Sequence, residues 1–145
     1  MTISKTLFSS KKMDWETPQL FFEELNKKYK FDLDACASDD NHKVDNYFTE
    51  EDNALTKLWN GNVFVNPPYG RELYSFVEKS YSEHSRDNNR FIVLLIPDRT
   101  DTKYWHEFIQ GKAAIKFLKG RLKFEISGIA SDAAPFPSAL IIYGI

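Results

Sequence analysis

The decisive stretch is Asn62-Val63-Phe64-Val65-Asn66-Pro67-Pro68-Tyr69-Gly70-Arg71. Val63, Phe64 and Val65 form an apolar run of strand-forming residues, and it must end at Asn66 because proline cannot join a central ladder. Beyond the prolines, Leu73, Phe76, Val77 and Tyr81 fall on one side of an amphipathic helix predicted over 71–84. A strand, a stiff turn and a helix thus follow one another without a gap. Working outward, the alternation of 31–35 reads as a strand ending at or near Asp34, and the unbroken apolar run 90–96 as a strand covered on both faces. Thr17 as N-cap and Pro18 at the first helical position open a helix with Phe21, Leu25 and Tyr29 as its apolar stripe. A short strand is expected at 44–48, a short helix at 52–59, a helix at 101–109, and strands at 113–118, 122–126 and 139–143. This alternation implies an α/β fold with a mainly parallel sheet and helices on both faces. The last strands are joined without helices, which gives the sheet an antiparallel edge.

With 145 residues, 42% apolar and 15% aromatic, the chain suits one packed domain. The expected organisation is a polar, basic leader over 1–13 followed by a single domain over 14–145. No apolar run approaches the roughly 18–20 residues that span a bilayer, and the leader lacks the apolar core of a signal peptide. Cys36 is the only cysteine, so no internal disulfide or cysteine-based metal site can form. These features predict a cytoplasmic protein with no membrane association. Charge is segregated: residues 14–53 carry four bases against twelve acids, a net −8, whereas 86–123 carry nine bases against four acids, a net +5. A basic second half suits contact with nucleic-acid phosphates; a solvated surface with unevenly placed charges is the alternative.

Asn66-Pro67-Pro68-Tyr69 sits where open α/β sheets bind ligands, outside the carboxyl end of a strand. An aromatic amine is a poor nucleophile because its lone pair is delocalised into the ring. Two acceptors on its N–H groups would draw that pair out of conjugation and aim it at a methyl donor. The Asn66 amide oxygen and the Pro67 carbonyl can be those acceptors, with Pro67 and Pro68 fixing the backbone in advance. Tyr69 offers a flat face on which a base can stack, and a base from a duplex would have to be flipped out to reach it. Asn-Pro and Pro-Pro are also ordinary turn punctuation.

Other pieces surround this tetrad: Asp14-Trp15-Glu16-Thr17-Pro18, Phe31-Asp32-Leu33-Asp34-Ala35-Cys36-Ala37-Ser38, Tyr47-Phe48-Thr49 and Asp52-Asn53-Ala54-Leu55 before it. After it come Leu95-Ile96-Pro97, Arg99-Thr100-Asp101, Gly120-Arg121-Leu122-Lys123-Phe124 and Ala134-Pro135-Phe136-Pro137-Ser138-Ala139. In this order and spacing they resemble the phage-type DNA N6-adenine methyltransferases, the small Dam-like family, from about Asp14 to Tyr143. The resemblance implies an abbreviated Rossmann-like methyltransferase fold, S-adenosyl-L-methionine as cofactor and adenine in double-stranded DNA as substrate. It implies that Thr17 and Pro18 close over the methionine end of the cofactor, with Trp15 covering it. Asp34 and Ala35 would form the cofactor loop, Asp52 would accept from the ribose hydroxyls or the adenine amine, and Asn66, Pro67, Pro68 and Tyr69 would be the catalytic tetrad. The loop after Asp34 departs from the usual glycine-rich pattern by having no glycine, and the interval from Asp34 to Asn66 is short. For Asp34, a strand-end acid capping a turn is the alternative; for Asp52, an N-cap.

Arg71, Arg99, Lys103, Lys119, Arg121 and Lys123 are the candidate DNA contacts. His42, His84 and His106 are not at metal-ligand spacing, so no metal is expected. The leading reading is a phage or prophage enzyme, a monomer or weak dimer, that protects its own DNA from restriction. The same tetrad would equally receive another planar amine: cytosine N4, RNA adenine or a protein glutamine. A catalytically silent nucleic-acid-binding module and a ligand-free structural protein are the readings outside that chemistry.

Overall fold

Val63, Phe64 and Val65, and likewise Ile92 through Ile96, are wholly withdrawn from solvent at the centre of the computed structural model, which describes residues 15–144. The predicted leader and Asp14 lie outside the described residues. Strands β1 (Leu33–Asp34), β2 (Val63–Val65), β3 (Ile92–Pro97), β4 (Ala114–Phe117) and β7 (Ser138–Tyr143) form one sheet in the order β1-β2-β3-β7-β4. Strands β5 (Glu125–Ile126) and β6 (Ile129–Ala130) form a separate hairpin. The pairs β1–β2 and β2–β3 are parallel, and β7 is antiparallel to both β3 and β4. Four strands therefore share one direction and β7 opposes them. The antiparallel strand is not the edge that the sequence predicts. It lies inside the sheet, where its Ala139, Leu140 and Ile141 are buried and paired on both sides. A connection without a helix, residues 118–137, brings the chain back at the end where β4 stops, so the returning strand can run only the opposite way.

Side-chain alternation divides the core in two. Val63, Val65, Ile92, Leu94, Ile96 and Ile141 face Leu73, Phe76 and Val77 of helix α2 (Leu73–Arg86), together with Trp105 and Ile109. Phe64, Val93, Leu95 and Leu140 face Phe22 and Tyr29 of helix α1 (Gln19–Tyr29), together with Phe124 and Ala134. Helices therefore cover both faces of the sheet. Helix α1 ends on Lys30 in the left-handed region (φ 52°), its N–H on the Asn26 carbonyl, with Lys27 and Lys28 in the last turn favouring the helix dipole.

Several local expectations change. Pro18, not Thr17, precedes the first helical residue, and it makes no side-chain cap; the Thr17 side chain turns inward and is 2% exposed. The strand expected at 44–48 reduces to a single bridge between Asp34 and Tyr47, because the Asp- and Asn-rich residues around it close local turns. The helix expected at 52–59 is one 3₁₀ turn, Ala54–Thr56. The helix expected at 101–109 is short and ends in a π-helical turn, Trp105–Ile109. Of 122–126 only Glu125–Ile126 pairs, outside the main sheet. Gly61 sits at φ +72°, where a Cβ would collide with the Asp32 side chain that receives the Asn62 N–H, so only glycine fits this entry into β2.

The entry into β3 is tied down by charge. Arg90, 5% exposed, donates to the carbonyls of Trp59, Gly61, Glu83 and Asp87 and to the Glu83 carboxylate. Glu83, 4% exposed, also receives Lys79, Arg86 and the Trp59 N–H. This cluster joins the C-terminal end of α2 to the approaches of β2 and β3.

Candidate active site

The register collects the predicted residues at one sheet end. Asp34 aligns with Phe64 and Val65 with Leu94, so β1, β2 and β3 deliver Asp34, Asn66 and Asp98 to the same edge. The pairings of Pro97 with Ser138 and Phe117 with Ala139 bring Arg99 and Lys119 to that edge as well.

Asn66 is half-buried and its amide is held by three groups. Its amide nitrogen donates to the Trp15 carbonyl at 2.9 Å and the Thr17 hydroxyl oxygen at 3.0 Å. Its amide oxygen faces the Tyr69 hydroxyl at 3.0 Å, and that hydroxyl is also 3.0 Å from the Leu95 carbonyl. Pro67 is buried, and its carbonyl accepts no hydrogen bond from any described residue. A fixed amide oxygen and an unengaged carbonyl therefore belong to adjacent residues, two acceptors on a stiff turn.

Tyr69 differs from the open stacking platform expected of it. The residue is 7% exposed, and its ring packs edge-to-face with Phe124 at 6.2 Å and Phe136 at 5.5 Å. Trp15 stacks on Phe136 at 5.3 Å and lies tilted 5.3 Å from Phe124. The four rings complete one hydrophobic cluster, and burying that much aromatic surface outweighs leaving a ring face open. Phe124 and Phe136 carried no role in the sequence; their only signal was membership of the two C-terminal motifs.

At β1 the Asp34 carboxylate, 3% exposed, receives the Cys36 N–H at 3.3 Å and the Lys43 N–H at 3.0 Å. Burial raises its pKa and these two N–H groups oppose the rise. Asp34 thus acts as the clamp of its own loop, the alternative left open by the sequence. The N–H groups of Ala35, Cys36, Ala37 and Ser38 are all engaged inside the protein, on Phe64, Asp34, Phe48 and Asn41. The glycine-free loop therefore leaves none of these four N–H groups free for a ligand. Asp52 is exposed and closes a turn on the N–H and hydroxyl of Thr49, which lower its pKa; Asn53, not Asp52, caps the following turn. Its second oxygen is unengaged, as an acceptor for a hydroxyl requires. Pro18 is half-buried at the start of α1, beside Thr17.

All six candidate DNA contacts are exposed. Lys103 is partly taken by Glu107 (3.6 Å) and the face of Tyr74, and Arg121 donates to the Ala134 carbonyl at 3.2 Å, tying the loop over the aromatic cluster. Arg71, Arg99, Lys119 and Lys123 make no salt bridge to a described residue. A groove between α1 and strands β4 and β7, lined by Phe21, Leu25, Tyr29, Leu118, Leu140 and Ile142, shares no residue with the site. Among the described residues no cluster of His, Cys, Asp or Glu could hold a metal ion, and no helix is long and apolar enough to cross a membrane.

A family model described as DNA N-6-adenine-methyltransferase (Dam) matches residues 4–143. The chain belongs to this DNA N-6-adenine-methyltransferase family. A protein of Haemophilus phage HP1 named DNA N-6-adenine-methyltransferase is 33% identical over 149 aligned residues, covering 99% of this chain and 84% of that protein. A protein of Escherichia phage T1 with the same name is 33% identical over 117 residues, covering 79% of this chain but only 48% of that protein. The chain thus spans about half the length of the phage T1 relative. Every element among the described residues of this family member lies within the matched residues.

Proposed function

We propose that this chain transfers a methyl group from S-adenosyl-L-methionine to the exocyclic N6 amine of adenine in double-stranded DNA. The observation that carries the reading is the Asn66 amide, whose nitrogen is held by Trp15 and Thr17 so that its oxygen is turned toward Tyr69, with the unengaged carbonyl of Pro67 on the next residue. The cofactor supplies an electrophilic methyl group on a sulfonium. The two oxygens accept from the two N–H groups of the target amine and localise its lone pair, and they stabilise the positive charge that grows on nitrogen as it is alkylated. The proton then lost leaves through one of these hydrogen bonds to solvent. Asp52 would accept from cofactor hydroxyls, Ala35 and its small neighbours would line the cofactor's path, and Trp15, Thr17 and Pro18 would close it.

The adenine must leave the helix to reach Asn66. A base stacks on Tyr69 only once the ring emerges from beneath Phe124 and Phe136, whereas its hydroxyl holds the amide without any movement. Arg71, Arg99, Lys119, Arg121, Lys123 and, less directly, Lys103 would follow the phosphates. The abbreviated Rossmann-like plan fits the shared direction of β1–β4 and the inserted β7. The setting would be the cytoplasm of a bacterial host, the enzyme a monomer or weak dimer that marks DNA against restriction. Incubation with labelled S-adenosyl-L-methionine and plasmid DNA, followed by nucleoside analysis, tests the reading: label in N6-methyladenine supports it. Label in cytosine, in RNA or in protein would assign the same amide to another planar amine.

A further inference from the structure

We infer that Glu16 is a positioning residue for the Asn66 amide and acts through the β5–β6 hairpin; the inference deepens the methyl-transfer reading of Asn66 and rests on it for its consequence. An asparagine amide can sit either way round, and its two ends are nearly equal in size. The Thr17 hydroxyl can accept from nitrogen or donate to oxygen, so it does not choose between them. The Trp15 carbonyl can only accept. At 2.9 Å it demands the nitrogen and turns the oxygen the other way, toward Tyr69. The place of one backbone carbonyl therefore decides which atom Asn66 presents to an amine.

That carbonyl is fixed from the next residue. Glu16 pairs with Glu125 through two backbone hydrogen bonds of 2.9 Å, adding a third line to the hairpin. Its carboxylate then reaches the hairpin tip, taking the Ser127 N–H at 3.2 Å and the Gly128 N–H at 3.0 Å. Ser127 (φ 54°) and Gly128 (φ 79°) are both left-handed, as a two-residue hairpin turn of the mirror-image type requires. Serine adopts that conformation at a cost, and an anion on both tip N–H groups offsets it. Glu125 returns the contact, its carboxylate lying 3.3 Å from the Gln19 N–H. Ile126 and Ile129 of the hairpin are exposed, 39% and 73%, so polar contacts with residues 16 and 19 are what hold it to the start of α1. Residues 15–17 and the hairpin form one clasp, and Asn66 hangs from its inner side.

The test reads the amide directly. In ¹⁵N-labelled protein the Asn66 side-chain NH₂ pair, assigned by its loss in Asn66→Asp, should be well separated and slow to exchange. Glu16→Ala should speed that exchange and slow single-turnover methylation, each about tenfold, the size of one charge-assisted hydrogen bond. Glu16→Gln, which keeps an acceptor without the charge, should fall between the two. The unfolding transition should stay cooperative in both, since Glu16 is only half-buried and belongs to neither core cluster. Unchanged Asn66 exchange in folded Glu16→Ala, or in Glu16→Gln should the alanine variant not fold, would overturn the inference. A response of the amide to Glu16 in a protein that never methylates DNA would leave the clasp standing and remove the reading of its purpose.

Discussion

The Tyr69 hydroxyl stands 3.0 Å from the Asn66 amide oxygen and 3.0 Å from the Leu95 carbonyl, so one proton serves two acceptors. When it points to Leu95, the Asn66 oxygen keeps both lone pairs for an incoming N–H; when it points to Asn66, it still leaves one. Burial, with smaller contributions from Tyr104 and Cys36, raises the phenol far above its ordinary pKa. Tyr69 therefore stays protonated and is no base for the amine.

Tyr69→Phe separates hydroxyl from ring. It leaves the Leu95 carbonyl without this donor and the Asn66 oxygen without its support, at about 1–3 kcal/mol for a buried polar group left unpaired. The fold should persist while single-turnover methylation falls several-fold. Tyr69→Ala removes a buried ring and should destabilise by about 3–5 kcal/mol in denaturant unfolding. A wild-type rate in Tyr69→Phe would mean that the hydroxyl has no part in holding Asn66.

Binding to DNA should depend steeply on salt, because the exposed bases sit at the edge that carries Asn66. Each phosphate contact contributes a slope of roughly −0.9 in log affinity against log salt. Replacing Lys119, Arg121 and Lys123 together by Ala should flatten the slope, measured by fluorescence anisotropy on a short duplex. Arg121 also ties Ala134 in place, so Lys119→Ala with Lys123→Ala is the cleaner pair. An unaltered slope would put the DNA on another face.

The long periodic elements were legible in the sequence, since 19–29, 73–86 and 92–97 bury one stripe or two whole faces and nothing local competes. Thr17 was misread as a cap because the residue types that cap helices also supply buried hydroxyls, and only the approach of Asn66 decides between the two. The place of β7 was hidden for a similar reason: pairing partners 45 residues apart, such as Leu95 and Leu140, leave no mark on local periodicity. Arg90 was counted into the apolar run 90–96, and the four carbonyls it gathers come from two separate stretches of chain, 59–61 and 83–87.

That arginine cluster makes acid stability predictable. Burial alone would raise the Glu83 carboxyl, but hydrogen bonds from Arg86, Lys79, the Trp59 N–H and Arg90 outweigh it and bring the pKa from 4.5 down to about 2. A carboxylate with a depressed folded-state value stabilises the fold above its unfolded value and loses that contribution as pH falls. The window here runs from about pH 4.5 to about pH 2, and the contribution is on the order of 3 kcal/mol. Glu83→Gln should flatten the fall of unfolding free energy across that window. Glu83→Ala should cost about 3–5 kcal/mol at neutral pH by leaving Arg90 buried without its counter-charge. A Glu83→Gln profile parallel to wild type would place the acid sensitivity elsewhere.

Asn66 itself gives the sharpest test of the chemistry. Asn66→Ala removes one acceptor from the target amine and leaves the Pro67 carbonyl, the Tyr69 ring and the sheet in place. The missing contact is worth most when the amine nitrogen becomes positive, so turnover should fall by about 10²–10³ while cofactor affinity changes little. Asn66→Asp distinguishes an acceptor from an oriented acceptor. It keeps an oxygen toward Tyr69 but sets a second one against the Trp15 carbonyl, where no proton lies between two acceptors unless the acid is protonated. Its rate should therefore be low at neutral pH and recover in part as the pH is lowered toward the carboxyl's pKa, whereas Asn66→Ala should show no such recovery. Single-turnover methylation across pH, with cofactor binding by calorimetry, measures both. Near wild-type turnover in Asn66→Ala would reduce the tetrad to a turn.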